Sequence, residues 1–325
     1  MASFMIIGAI HPVELQNKSL GINHHIVLAQ ETKLSLFPVG LYINKKWKIG
    51  YINRSGKIFI QPRFEEAYTF SEGLAKIMMK EKYGYIDETG KVVIQPQFNE
   101  SGDFSEGLAV VKINNKIGYI DRTGKIAITP RFDTASTFSE GLSLVSGNNE
   151  YGFIDKTGEI VINALRSDHP NVRNPSFNEV YPFSDGLALV KVEDQYGYID
   201  KTGKIVIKPQ FEDANRFSEG LAAVSIKTQT GKTECGYIDK TGKVTLKLNC
   251  AELGQFSDGL AEFLGDHGYG YIDKTGKVII KSQYENVKSF KNGLAEVFGE
   301  DGDTKIKSGY IDKSGSYVWI EPSQK

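Results

Sequence analysis

The chain has 325 residues, and 39 Lys and Arg stand against 40 Asp and Glu, for a formal net charge of −1. A near-neutral chain has no long-range pull on nucleic acid or on an anionic membrane. No apolar run approaches the roughly 20 residues of a membrane-spanning helix. An apolar fraction of 40% with 24% charged residues is that of a globular protein with a core.

Residues 1–36 form a leader that matches nothing further along. Met1 to Ile10 is apolar but lacks a basic n-region and a small-residue cleavage site, which points to the cytoplasm, with secretion or the envelope as the alternative. Two β-like runs, Phe4 to Ile10 and Ile26 to Ala29, suggest that the leader supplies a strand closing the array that follows.

From Phe37 to the end the chain repeats itself. The pattern G-[YF]-I-[DN]-x-[TS]-G starts at Gly50, Gly84, Gly118, Gly152, Gly197, Gly236, Gly270 and Gly309, in steps of 34, 34, 34, 45, 39, 34 and 39 residues. A second element, F-x-x-G-L, recurs at Phe37, Phe70, Phe104, Phe138, Phe183, Phe217, Phe256 and Phe290, so residues 37–325 hold eight units. A fixed period of this size marks a stacked array of one supersecondary unit.

Each unit reads as at least three strands: the apolar runs are short and β-branched, and Gly, Asn, Asp or Pro bounds them. The turn D-x-T-G joins two of them. Asp87, Asp121, Asp200, Asp239 and Asp273 are positioned to accept backbone N–H groups, and Gly90, Gly124, Gly203, Gly242 and Gly276 to take positive φ. Pro62, Pro96, Pro130 and Pro209 remove a ladder donor and are expected to end the strand before them. The strand after the turn, with Ile205 and Ile207 on one face and Val206 on the other, reads as covered on both sides. Small sheets stacked face to face around an axis supply that cover. The expected fold is therefore all-β: tandem β-meander repeats of about 34 residues in a propeller-like ring of seven or eight small blades. An open β-superhelix or solenoid is the alternative.

These units resemble WG (KWG) repeats, whose pattern runs F-S-E-G-L-A-x-V, then W-G-[YF]-I-D-x-x-G-K-x-V-I-x-P-x-[FY]. The eponymous tryptophan is missing: before the motif glycine stand Ile49, Tyr83, Ile117, Tyr151, Tyr196, Cys235, Tyr269 and Ser308. The resemblance implies a bacterial β-repeat protein without a shared catalytic site that mediates interactions.

The chemistry-bearing residues divide into those inside the frame and those outside it. The repeated aspartates read as turn acceptors before they read as a carboxylate ring. Lys57, Lys91, Lys125, Lys204, Lys243 and Lys277, with Glu72, Glu106, Glu140, Asp185, Glu219 and Asp258, could form ion pairs within or between units and read as solubility and register devices before they read as a site. The recurrent Tyr51, Tyr85, Tyr119, Tyr198, Tyr237, Tyr271 and Tyr310 read as packed between blades; exposed and coplanar, they would instead make a sugar-stacking ladder. Cys235 and Cys250 replace two aromatic positions of one repeat and read as buried thiols or, where the two positions touch, as a bridge. No Walker loop, nucleophile elbow, HExxH or CxxC occurs, so no catalytic residue, metal or cofactor is expected.

Outside the frame lie the insertions. The long one, 163–175, carries Arg166, His169 and Arg173; a later one carries Asp301 and Asp303. Insertions at matching places in a repeat gather on one face, and these five residues are the expected contacts with a protein partner. The reading is a non-enzymatic protein–protein interaction scaffold without nucleic acid or membrane insertion. A carbohydrate- or envelope-binding module using the repeated aromatics is the alternative.

Overall fold

The computed structural model describes residues 35–147, 150–162, 177–227, 233–248, 252–299 and 307–322. They form eight small antiparallel sheets in a ring, an eight-bladed β-propeller without helices. Blade 1 consists of β1 (Leu36–Ile43), β2 (Lys46–Asn53) and β3 (Ile58–Phe64). Blade 2 has a short leading strand, β4 (Glu66–Ala67), then β5 (Leu74–Met79), β6 (Lys82–Asp87) and β7 (Val92–Phe98), hydrogen-bonded in that order. Blades 3 to 8, at residues 108–132, 134–162, 179–211, 213–248, 252–284 and 286–320, repeat this meander. In blade 3 a single bridge, Ser101 to Val111, stands for the short strand.

The ring closes where blade 8 meets blade 1. Tyr310 Oη donates to the Pro38 carbonyl at 3.0 Å. Phe37, Val39 and Ile52 of blade 1 share one buried cluster with Leu294 and Tyr310 of blade 8. This contact decides between the ring and the open superhelix. The expected closing strand lies in residues 1–34, outside the described residues; the array itself begins one residue before the expected boundary, at Leu36.

Three details of the sequence reading change. First, Phe37 does not belong to the F-x-x-G-L element. It pairs with Ile52 as Ala75 pairs with Ile86, so Leu36 takes the place of Leu74 and Phe37 already lies inside a strand. The spacing shows this: Phe37 precedes Gly50 by 13 residues, whereas Phe70 precedes Gly84 by 14.

Second, the prolines do not end their strand. β7 passes through Pro96 and pairs again at Phe98 opposite Tyr83, with a bulge between that pair and Tyr85–Ile94. A proline fits there because the bulge requires no ladder donor at that point. The bulge brings backbone onto the motif glycine. A Cβ on Gly84 would lie 2.5 Å from the Ile94 carbonyl oxygen and 2.6 Å from the Pro96 nitrogen.

Third, the last strand of each blade is covered on one face only. Ile207 is buried, but Val206 is 44% exposed, and Phe59, Val93, Val161 and Ile279, at the same place in their blades, are similarly open. Period-2 alternation with one wet face is what an outlying strand shows; the doubly covered strands are the inner ones, such as Leu187–Val192, with four consecutive buried residues.

The core lies between blades. Tyr198, Ile207 and Phe211 of blade 5 pack with Phe217, Ala222, Val224 and Ile238 of blade 6, and the other interfaces repeat this arrangement. Cys235 is buried at 8% exposure and disulfide-bonded; the chain's other cysteine, Cys250, lies outside the described residues.

Candidate functional site

Three repeated devices account for the chemistry-bearing residues of the frame. The first is an aromatic clamp. The motif tyrosine of one blade, or Phe153 in blade 4, meets the F-x-x-G-L phenylalanine of the next with ring centroids 4.7–5.0 Å apart at seven interfaces. The tyrosine hydroxyl donates to a backbone carbonyl of that next blade, as Tyr85 does to Gly102 at 2.7 Å and Tyr198 to Asn215 at 2.7 Å. Burial pushes these phenols up, to about 12 for Tyr85 and Tyr119. All seven recurrent tyrosines are at most 5% exposed, so a sugar-stacking ladder built on them has no accessible ring face.

The second device is a carboxylate clamp. Glu72, Glu106, Glu140, Asp185, Glu219 and Asp258 each accept the N–H of the next blade's F-x-x-G-L glycine at 2.6–3.2 Å. Their cations also come from the next blade: Arg122, Lys156, Lys201 and Lys274 reach Glu72, Glu106, Glu140 and Glu219 at 3.0–3.7 Å. These are the residues directly after the turn aspartate, not the lysines after the turn glycine that the sequence pointed to. At Glu106 burial raises the carboxyl pKa, but Lys156 and the Gly141 N–H outweigh it and hold the group below its ordinary value. A carboxylate occupied in this way is a fastener between blades.

The third device is the turn. Asp87 Oδ1 accepts the Thr89 hydroxyl at 2.6 Å, the Thr89 N–H at 3.0 Å and the Lys91 N–H at 3.0 Å. Asp121, Asp200, Asp239 and Asp273 do the same. The glycines that close these turns, Gly90, Gly124, Gly203, Gly242 and Gly276, have φ between 81° and 88°. The threonine hydroxyl and then the backbone donors hold each aspartate below its ordinary pKa. A depressed folded-state pKa contributes stability above the unfolded value near 3.9 that is lost as pH falls through the folded one. Thermal melts are therefore expected to hold their midpoint down to about pH 4 with respect to these groups and to fall below it. Asp87→Ala is expected to cost about 1 kcal/mol. Asp87→Asn should cost under about 0.5 kcal/mol, because Asn53 makes the same three bonds in blade 1.

What remains for recognition is what departs from the frame. The β1–β2 hairpin extends two residue pairs beyond that of β5–β6, to Tyr42–Trp47 and Ile43–Lys46. Its Asn44-Lys45 turn has φ of 51° and 62°, the geometry of a type I′ hairpin. Tyr42 and Trp47 meet edge to face at 5.8 Å and are 62% and 39% exposed. Sequence reasoning missed this pair, although Tyr42 and Trp47 flank a two-residue turn at hairpin spacing. At the closing seam a cavity of about 500 Å³ is lined by Phe37, Phe70, Lys291, Leu294 and Tyr310. The expected partner contacts Arg166, His169, Arg173, Asp301 and Asp303 lie outside the described residues. Among the described residues no group of three or more His, Cys, Asp or Glu is placed to hold a metal, and no helix is long and apolar enough to cross a membrane.

The chain is similar to several solved structures at low identity. A crystal structure of a eukaryotic initiation factor superposes with a TM-score of 0.56 at 12% identity, covering 90% of this chain and 98% of that one. The WD40 domain of SCAP from fission yeast gives 0.43 at 11% identity, over 88% and 97% of the two chains. The extracellular domain of the one-component system BT4673 from B. thetaiotaomicron gives 0.44 at 13%, over 80% of this chain and 42% of that one. No curated protein matches the chain in sequence. The WG containing repeat, however, matches eight times, at residues 49–83, 83–116, 117–150, 151–165, 174–196, 196–227, 236–264 and 269–298. With most of its length accounted for by that repeat and each copy contributing to a blade, the chain belongs to the WG-repeat family.

Proposed function

We propose that this protein is a non-enzymatic interaction scaffold that holds a protein partner through the positions where its repetition breaks. One observation carries the reading: the repeated tyrosines, carboxylates and turn aspartates are each engaged in joining or closing blades, whereas an aromatic pair stands exposed on the extended β1–β2 hairpin. Exposed Tyr and Trp beside Lys45, Lys46 and Lys48 are the residue types that dominate protein interfaces. The insertion residues Arg166, His169, Arg173, Asp301 and Asp303 are proposed as further contacts. A cytoplasmic setting suits this role.

Affinity capture from lysate of the source organism tests the reading. The expected result is a stoichiometric protein partner. Retention on polysaccharide or cell-wall fractions, with no protein recovered, would replace the scaffold with an envelope-binding module whose contacts are not the buried tyrosines.

A further inference from the structure

One register position carries charge in three blades, and in two of them a side chain on the neighbouring strand takes it up, as a ring face in blade 2 and as an ion pair in blade 8. In blade 2, Lys76 lies opposite Tyr68, whose N–H donates to the Lys76 carbonyl. The Lys76 ammonium sits 3.9 Å from the centroid of Tyr68 and 5.3 Å from that of Tyr83. Both phenols donate to Glu66, at 2.7 and 2.9 Å. In blade 8 the charges are exchanged: Glu296 stands at the position of Lys76 and Lys288 at that of Tyr68, paired at 2.5 Å.

Blade 7 has the same frame without the cation. Gly254 donates its N–H to the Glu262 carbonyl, which places Glu262 at the lysine position and Gly254 at the tyrosine position. Tyr269 donates to Glu252 at 3.1 Å, as Tyr83 does to Glu66. Where blade 2 holds the Tyr68 ring and blade 8 the Lys288 chain, blade 7 has a cavity of about 320 Å³. Glu252, Glu262, Tyr269, Asn215, Asn286 and Ser289 line it, and no lysine or arginine does. The Glu262 carboxylate reaches over Gly254, so close that a Cβ there would lie 2.0 Å from Oε2. Burial raises its pKa, opposed by a hydrogen bond with Ser289.

We propose that the blade 7 cavity binds an alkylammonium group, seated between Glu262, Glu252 and the Tyr269 ring where blades 2 and 8 seat their own lysines. The volume lies at the small end of ligand sites, enough for a diamine or for the end of a lysine side chain. Charge-assisted hydrogen bonds to two carboxylates and the face of a phenol supply the recognition. The proposal does not depend on the scaffold reading, because a free amine and a partner's lysine present the same group.

Calorimetric titration with putrescine, with N-acetyl-lysine amide and with 1-butanol as the neutral control tests it. Wild-type protein is expected to bind one amine per chain and no butanol. Glu262→Gln should weaken binding at least tenfold while raising the melting temperature, since it removes a carboxylate that burial disfavours. Gly254→Lys installs the blade 8 solution and should abolish binding in a folded protein. Tighter binding of putrescine assigns the site to a free amine; tighter binding of N-acetyl-lysine amide assigns it to a side chain. Absence of amine binding to the wild type, or equal binding to both variants, overturns the proposal.

Discussion

Gly197→Ala is expected to destabilise the ring by about 3 kcal/mol, the upper end of the usual cost of forcing extra atoms into a packed site. The Cβ would lie 2.6 Å from both the Ile207 carbonyl oxygen and the Pro209 nitrogen. These are backbone atoms of the bulged strand, and a side-chain rotation cannot relieve the contact. The same approach occurs at Gly50, Gly84, Gly118, Gly236, Gly270 and Gly309, where an added Cβ would lie 2.2–2.5 Å from a carbonyl oxygen. Gly107→Ala provides the contrast: a Cβ there meets nothing within 4 Å, though its φ of 87° still favours glycine. Denaturant melts of the two variants separate steric from conformational cost. Equal loss in both would mean that backbone approach is not what fixes the motif glycine.

Phe217→Ala should cost about 3–5 kcal/mol, the range for a buried phenylalanine. Its ring is fully buried against Tyr198 at 4.8 Å, and it shares a cluster with Phe211 of blade 5 and Val224 and Ile238 of blade 6. The loss falls on an interface between blades, not within one sheet. Hydrogen exchange is therefore expected to rise first on the facing strands, Gln195–Ile199 and Ala222–Lys227. A loss below about 1 kcal/mol would contradict the assignment of the clamp as the main fastening between neighbouring blades.

The legible part of the fold was the part set by local chemistry. Aspartate before x-T-G announces a turn wherever it stands, and the 34-residue step announces a unit that needs neighbours. The order of strands within each blade followed from these. The misread parts depended on partners distant in sequence. Pro96 looks like a strand end because a regular ladder has no place for it; only the bulge opposite Gly84 supplies one. The acids of F-S-E-G-L looked matched to the lysines after the turn, while the clamp uses Arg122, Lys156, Lys201 and Lys274 from the next blade. Val206 looked buried because its neighbours are, yet nothing stacks on that face. The Tyr42–Trp47 pair could have been read from its hairpin spacing; the blade 7 cavity could not, because a departure of that kind acquires meaning only once the register shows which residue it replaced.

The central claim is that repeated residues build the ring and exceptional ones select the partner. It is tested most directly by quantitative capture with three proteins: the wild type, a Tyr42→Ala/Trp47→Ala variant, and one in which a linker of regular period length replaces residues 163–175. The account predicts unchanged melting temperatures and at least a tenfold loss of captured partner in one or both variants, as truncation of interface anchors produces. Full capture by both, at wild-type stability, would contradict it.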